Sequence, residues 1–247
     1  MTAIALYART TAGFDDRVQH AIDLLGRAAE QHAGHIVQAT SLGAEDMVIT
    51  DLIARHRLGI DVATLDTGEL HAQTLDLITR LEARYGLLVR RLRPEPVATV
   101  HFIAQHGALA MQQSVALRKA CCQLRKLEPL QRMLAGNTAW VTGLRREQST
   151  ARGQVSFEET DDQGRSKLSP LADWSWADVW QYIALFDVPF NPLHDEFFLS
   201  IGCEPCTRAV AVGEDARAGR WWWEDEAAKE CGLHVKNETT PLSVRTA

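Results

Sequence analysis

The sequence predicts an α/β protein in which a parallel sheet is flanked by helices. Short β-rich runs alternate with segments of helical hydrophobic spacing along much of the chain of 247 residues, an alternation that is typical of βαβ units. Gly-containing turns follow several of the β-rich runs. The length suits one sizeable domain, so we predict a single α/β domain over residues 1–220 and a mobile C-terminal segment over residues 221–247.

Periodicity and turn signals assign the elements in order. Helical spacing of apolar residues predicts helices at residues 18–32, 45–57, 71–85, 97–106, 114–134 and 175–186. Runs rich in β-formers predict strands at residues 35–41, 60–65, 87–92 and 139–142. Gly86 marks one helix end, and Ser175 suits an N-cap. Residues 146–164 are polar and predict a mobile loop around a short hairpin.

Three turns fall where ligands bind in such folds, beyond the carboxyl ends of parallel strands. The first contains Ser41 and Gly43, and its strand, turn and helix can cradle a phosphate on helix amides. The alternative is a plain turn whose carboxylates complement the helix dipole. The other two turns are residues 66–69, with Asp66, Thr67 and Gly68, and residues 143–149.

Composition limits the class of protein. The net charge of −6 argues against nucleic-acid binding, which favours a basic face. No run approaches the roughly 20 apolar residues of a membrane span, and the N-terminus lacks the basic flank of a signal peptide. We therefore expect a cytoplasmic protein, in whose reducing surroundings cysteines act as ligands or catalysts rather than as disulfides.

The five cysteines are unevenly spaced along the sequence. Cys121 and Cys122 are adjacent, Cys203 and Cys206 form a C-x-x-C pair, and Cys231 stands apart. Zinc, a redox dithiol and an iron–sulfur cluster all accept a C-x-x-C pair. Adjacent side chains start about 100° apart on a helix, which favours a large cluster over one tetrahedral ion. Zinc and inert or redox thiols remain alternatives.

Positive charge is concentrated beside the cysteines and at a strand end. Each basic residue alone is typical of a solvated surface, but together they suit a substrate with several anionic groups. The residues concerned are Arg118, Lys119, Arg125, Lys126, Arg145, Arg146, Arg208, Arg217 and Arg220.

Cys231 is the candidate nucleophile. Gly232 follows it and leaves room for a substrate, and His234 would favour the thiolate. Glu230 acts in the opposite direction, and a buried spare thiol is the alternative. The polar surroundings favour an exposed, reactive thiol.

These motifs together resemble the assimilatory adenylylsulfate (APS) reductases of the sulfonucleotide reductase family. The resemblance spans about residues 35 to 236, and its motifs are Cys121-Cys122, Arg125-Lys126 and residues 41–46, 65–68, 142–149, 201–207, 219–224 and 229–234. Two positions depart from the family pattern, with Glu69 where arginine is expected and Ala209 where proline is frequent. The resemblance implies an adenine-nucleotide alpha-hydrolase-like fold with a modified PP-loop.

The resemblance also implies a chemistry. Cys121, Cys122, Cys203 and Cys206 would hold a [4Fe-4S] cluster near Lys126. Cys231 would attack the sulfur of APS, expel AMP and carry an S-sulfonate, which thioredoxin or a similar dithiol would release as sulfite. The substrate-binding set is then Ser41, Gly43, Asp66, Thr67, Gly68, Lys126, Arg145, Arg146, Arg217, Arg220 and His234.

Several alternatives stay open at this stage. Reduction of the 3′-phosphorylated nucleotide (PAPS) in addition to APS is one, although family members that reduce PAPS generally lack the four cluster cysteines. A PP-loop tRNA sulfurtransferase would need a Ser-Gly-Gly-x-Asp-Ser motif, which residues 41–46 do not match. A redox or nucleotide sensor would not need Cys231. Whether the chain forms a homo-oligomer is also open.

Overall fold

A six-stranded sheet forms the centre of the structure, a computed structural model that describes residues 2–224. The strands are β1 (Ile36–Thr40), β2 (Asp61–Leu65), β3 (Val89–Leu92), β4 (Ala139–Val141), β5 (Glu158–Thr160) and β6 (Ser166–Leu168). The helices are α1 (Ala3–Tyr7), α2 (Phe14–Gln31), α3 (Ala44–Arg55), α4 (Ala72–Tyr85), α5 (Pro96–His106), α6 (Val115–Cys122), α7 (Glu128–Leu134) and α8 (Trp176–Phe186). Short 3₁₀ turns lie at Ala110–Gln112, Arg146–Gln148, Thr150–Arg152, Pro192–Glu196 and Glu204–Cys206.

The strand order is β3-β2-β1-β4-β6-β5. Neighbouring strands are parallel from β3 through β6, and only the edge strand β5 runs antiparallel to its neighbour. This confirms the predicted parallel sheet and the hairpin in the loop after β4. Because β1, β2 and β4 are parallel neighbours, the loops that follow them meet at one edge of the sheet.

Helices cover both faces of the sheet, as predicted. Alternate side chains of β1 point to opposite faces, so Ile36 joins the larger core with α2, α3, α4 and α8. Val37 joins a smaller core with Met133 and Leu134 of α7. No helix among residues 2–224 is both long enough and apolar enough to cross a lipid bilayer.

The predicted helix ends agree with the structure. Ser175 is the N-cap of α8 and accepts a hydrogen bond from the Asp178 amide, while the Asp178 carboxylate accepts one from the Ser175 amide. This is a capping box. Gly86 ends α4 in the left-handed conformation, at φ +63°.

The predicted helix 114–134 is continuous but not uniform. It begins as α6, passes through a π-helical turn at Gln123–Leu127 and continues as α7. A π turn holds one extra residue between hydrogen-bonded partners. It therefore changes the face to which Arg125 and Lys126 point relative to Cys121 and Cys122.

The chain stays packed just past residue 220, where we predicted the boundary between the α/β domain and a mobile C-terminal segment. Trp221 is fully buried, and the Glu224 side chain is 2% exposed and paired with Arg118. At least residues 221–224 thus belong to the α/β body. The rest of the predicted mobile segment, residues 225–247, lies outside the described residues.

Candidate active site

A cavity of about 400 Å³ opens at the carboxyl ends of the parallel strands. All three predicted ligand loops contribute to it, with Ser41 and Gly43 after β1, Thr67 after β2, and Gly143 after β4. Residues from the C-terminal part of the described chain close the other side, among them Cys203, Arg217, Arg220 and Trp221. The prediction that ligands bind at this edge is therefore matched by a cavity of small-molecule size.

The loop after β1 is held by its own carboxylate. Asp46 Oδ2 accepts hydrogen bonds from the amide and the hydroxyl of Ser41, each at 2.6 Å. Burial raises the pKa of Asp46 to about 6, against these two hydrogen bonds, which act to lower it. Asp46 thus holds the loop in place from the first turn of α3, where a carboxylate also complements the helix dipole.

The loop after β4 interlocks with the start of α3. Arg145 donates from Nε to Glu45 Oε1 at 3.0 Å and from Nη1 to Glu147 Oε2 at 2.9 Å. The side-chain nitrogen Nε2 of Gln148 also donates to Glu45 Oε1, at 2.9 Å. Gly143 permits the close approach, because a Cβ atom there would lie 2.5 Å from Asp46 Oδ1. Arg145 therefore lines the cavity, but two carboxylates already balance its charge.

The opposite end of the cavity is cationic. Lys126, Arg217 and Arg220 line it beside Cys203. The guanidinium of Arg220 stacks on the ring of Trp221, with Cζ 4.7 Å from the ring centroid. These side chains are suited to binding a phosphate or sulfate group.

Four buried thiols lie behind that cationic end. Cys121, Cys122, Cys203 and Cys206 are each less than 8% exposed, form no disulfide and line one small cavity together. Lys126 lines both this cavity and the larger one. Within residues 2–224, no three histidine, cysteine or acidic side chains converge closely enough to hold a single metal ion. The four thiols therefore lie around a small cavity and do not converge on one central position.

The buried surroundings of the four thiols disfavour the charged thiolate form when no cation is nearby. Burial raises the pKa of Cys206 to about 11 and also raises that of Cys121. Lys126 acts on both thiols in the opposite direction. Four thiolates in this space would need further positive charge, which metal ions supply to coordinating thiols. The four cysteines are soft donors of the kind that bind zinc or an iron–sulfur cluster.

The loop after β2 contacts the thiol site directly. The hydroxyl of Thr67 lies 3.3 Å from Cys203 Sγ, and the Thr67 carbonyl accepts a hydrogen bond from Arg125 at 2.6 Å. Arg125 also pairs with Glu69 at 3.0 Å. Glu69, which departs from the family pattern, is thus the carboxylate partner of a buried arginine at the wall of the thiol cavity.

Three residues predicted to bind substrate do not line the cavity. Asp66 pairs instead with Arg93 at 2.8 Å, and Gly68 lies against Arg125. Arg146 points away, because it donates to the Val155 carbonyl at 2.9 Å. The predicted nucleophile Cys231 and the predicted substrate residue His234 lie outside the described residues.

Sequence reasoning missed several cavity residues. The sequence places Glu45 in a predicted ligand loop without predicting a substrate contact for it, yet its side chain lines the cavity beside Arg145. His194, from the irregular segment before the C-x-x-C pair, also lines it. Its Nδ1 lies 2.8 Å from the Phe198 carbonyl and so donates there. Burial lowers the pKa of His194 to about 4, so its imidazole is neutral.

Comparisons with known proteins identify the family of the chain. Residues 35–209 match the phosphoadenosine phosphosulfate reductase domain family. The chain is 53% identical to an adenosine 5′-phosphosulfate reductase of Allochromatium vinosum, over 87% of this chain and 84% of that protein. It is 48% identical to the protein of that name from Burkholderia cepacia, over 96% of this chain and 94% of that one.

Solved structures resemble the fold as well. Phosphoadenylyl-sulfate reductase of Candida auris, solved as a phosphate complex, is 27% identical with a TM-score of 0.63, over 80% of this chain and 98% of that one. The FMN adenylyltransferase of Candida glabrata is 15% identical with a TM-score of 0.54, over 94% of this chain and 83% of that one, and shows a similar fold only. On the family match and these identities, the chain belongs to the phosphoadenosine phosphosulfate reductase domain family.

Proposed function

We propose that the protein reduces adenosine 5′-phosphosulfate to sulfite and AMP. One observation carries the proposal: Lys126 lies between a cavity of nucleotide size and a cavity lined by four buried thiols. The relatives named adenosine 5′-phosphosulfate reductase support the choice of substrate. Such a protein would act in sulfate assimilation in the reducing cytoplasm.

The two ends of the larger cavity suit the two parts of this substrate. Lys126, Arg217 and Arg220 would bind the phosphosulfate, because charge-assisted hydrogen bonds to such groups are strong. Ser41, Gly43 and Thr67 would contact the nucleoside. Arg145 would position the loop through Glu45 rather than neutralise the anion.

Cys121, Cys122, Cys203 and Cys206 would hold a [4Fe-4S] cluster. Their burial and their shared cavity fit that group. When bound, the cluster supplies a compact charged centre that crosslinks the two cysteine segments. Lys126 would then bridge electrostatically between this centre and the substrate anion.

The reaction itself would proceed through Cys231. Its thiolate attacks the sulfur of the sulfate group, so that an S–S bond forms while the S–O bond to the phosphate breaks and AMP leaves with the electron pair. A thiolate of thioredoxin or a similar dithiol then attacks Cys231 Sγ and releases sulfite. The second thiol of the dithiol resolves the mixed disulfide and regenerates Cys231.

Sulfite release from APS and from PAPS, with and without reduced thioredoxin, tests the proposal. We expect sulfite from APS only when the dithiol is present, together with iron and acid-labile sulfide in anaerobically purified protein. APS without thioredoxin should add one sulfonate to the peptide containing Cys231, and thioredoxin should remove it. A label on another cysteine, or AMP release with no label, would overturn the assignment of Cys231. Comparable turnover of PAPS would instead support the broader substrate range.

A further inference from the structure

Arg220 is a buried arginine whose charge has no carboxylate partner within residues 2–224. The residue is 8% exposed, and its guanidinium donates one hydrogen bond in this part of the chain, from Nη1 to Ser200 Oγ at 3.3 Å. Its Nε atom is buried there and has no hydrogen-bond partner. A buried guanidinium needs a counter-charge and acceptors for its donors. An anionic ligand in the larger cavity, which Arg220 lines, would supply both.

The position of this guanidinium depends on Gly202. A Cβ atom at position 202 would lie 2.4 Å from Arg220 Nη2 and 2.6 Å from Cζ, well inside the separation of about 3.5 Å at which such atoms are in contact. The three atoms nearest to that Cβ position all belong to Arg220. The guanidinium therefore occupies the space that a side chain at position 202 would fill.

The backbone conformation of Gly202 does not itself require glycine. Several other glycines have left-handed φ values that disfavour a side chain, but Gly202 is not among them. The backbone here is also held in place, because the Gly202 amide donates to Thr207 Oγ1 at 3.1 Å and the Thr207 hydroxyl donates to the Cys203 carbonyl at 2.9 Å. A methyl group at position 202 would therefore displace the flexible Arg220 side chain rather than the backbone.

One short segment provides both contacts to the guanidinium. Ser200 and Gly202 lie just before Cys203, and all three residues line the larger cavity together with Arg220. An antiparallel bridge between Leu70 and Cys203 joins this segment to the chain that follows β2. The segment before the C-x-x-C pair is thus a fixed wall against which the Arg220 guanidinium rests.

We propose that Gly202 is a positioning residue, which sets the place of the Arg220 guanidinium by leaving room for it, and that Ser200 orients the guanidinium through its hydroxyl. Gly202→Ala would move the guanidinium by about 1 Å, and a misplacement of this size strongly reduces activity. The inference rests on the proposed function, because it takes the phosphosulfate as the anion that Arg220 binds. It goes further by assigning roles to two residues outside the predicted substrate-binding set.

The test measures the binding of labelled adenosine 5′-diphosphate (ADP) and labelled adenosine to the complete, anaerobically purified protein by equilibrium dialysis. ADP carries two anionic groups and no transferable sulfonate, whereas adenosine has no anion for Arg220 to bind. Gly202→Ala should weaken ADP binding at least tenfold and adenosine binding less than twofold. It should also lower kcat/KM for sulfite formation from APS at least tenfold. Gly26→Ala is the control, because no atom lies within 4 Å of a Cβ atom there, and it should change none of these values.

A double-mutant cycle shows whether Gly202 acts through Arg220. Arg220→Ala removes the atoms that a methyl group at position 202 would meet first. In that background, Gly202→Ala should weaken ADP binding less than twofold further. Ser200→Ala is a milder change at the same wall. It should weaken ADP binding two- to fivefold when Arg220 is present and should have no effect when Arg220 is absent.

The outcomes separate the inference from the proposed function. No binding of ADP to wild type, with no sulfite from APS, would overturn the proposed function itself. Unchanged ADP binding in Gly202→Ala would overturn the role of Gly202 and leave the proposed function standing. An equal weakening of ADP and adenosine, or an undiminished loss in the Arg220→Ala background, would also overturn the inference, because the substitution would then act on the cavity as a whole. If Gly202→Ala does not fold, additive effects of Ser200→Ala and Arg220→Ala would overturn it instead.

Discussion

Arg118 and Glu224 form a buried, two-pronged ion pair between the cysteine helix and the end of the described chain. Arg118 Nε and Nη2 donate to the two carboxylate oxygens of Glu224 at 3.0 and 2.8 Å, and the side chains are 1% and 2% exposed. The same guanidinium lies 4.6 Å from the ring centroid of Trp221, which Arg220 covers at 4.7 Å. The pair thus fixes the chain next to the thiol site.

Glu224→Gln should destabilise the protein strongly. The substitution removes the Glu224 charge that faces the buried Arg118 guanidinium, and loss of one partner from a buried pair costs about 3–5 kcal/mol of the free energy of unfolding. Denaturant unfolding measures it. Glu128→Gln breaks the exposed pair with Arg132 and should produce no measurable change. Equal effects of the two substitutions would contradict the assignment of Arg118 and Glu224 as a structural anchor.

Serine substitutions should divide the five cysteines into two groups. If the proposed cluster is bound, Cys203→Ser should lower iron and sulfide content, because a hydroxyl is a poor substitute for one of the four proposed thiolate ligands. Cys231→Ser should abolish sulfite formation and retain the iron, since the four proposed ligands are unchanged. Metal analysis and the visible spectrum check both variants. Iron loss in Cys231→Ser, or full iron in Cys203→Ser, would refute this division.

Lys126→Ala should lower kcat/KM for APS by roughly ten- to a hundredfold. The estimate follows from the loss of a charge-assisted contact, about 1.5–3 kcal/mol. Lys119→Ala removes an exposed lysine from α6 and serves as the control, with kcat/KM expected to remain at the wild-type value. If the two substitutions have the same effect, Lys126 has no specific contact with the anion.

Asp46 should make stability depend on pH. Its pKa is raised to about 6, chiefly by burial, so the folded state binds a proton that the unfolded state has released. Stability from this group is therefore present at lower pH and is lost as the pH rises through about 6. Relative to Asp46→Asn, wild type should lose about 1 kcal/mol between pH 5 and pH 7. A pH-independent difference in unfolding free energy between the two proteins would exclude this.

The order of the elements was readable from the sequence because it depends on local periodicity. Alternating apolar spacing predicted the strands β1 to β4 and the helices around them, and Ser175 and Gly86 were correctly predicted to cap helices. We predicted the convergence of the two cysteine pairs as well, since four thiols in the reducing compartment that we expect are best explained by a shared ligand. Their common cavity agrees with that prediction.

The partners of single charged side chains were not readable, because they come from distant segments. Asp66 looked like a nucleotide ligand, but Arg93 at the end of β3 pairs with it. Arg145 and Arg146 looked equivalent, yet neighbouring side chains diverge and only Arg145 reaches the cavity. Glu45 contacts Arg145, which lies 100 positions away in the sequence. Hydrophobic periodicity describes only local structure and cannot predict a contact over such a separation.

The contact between Gly143 and Asp46 constrains the order in which the two loops can change in evolution. A Cβ atom at position 143 would lie 2.5 Å from Asp46 Oδ1 and 3.0 Å from the Glu45 Cβ, so a larger residue there is tolerable only after position 46 has changed. Replacing Asp46 first removes the acceptor of Ser41 and loosens the loop after β1. A lineage in which either loop changes must therefore pass through an intermediate whose cavity wall is less well packed, which makes substitutions at the two positions strongly interdependent.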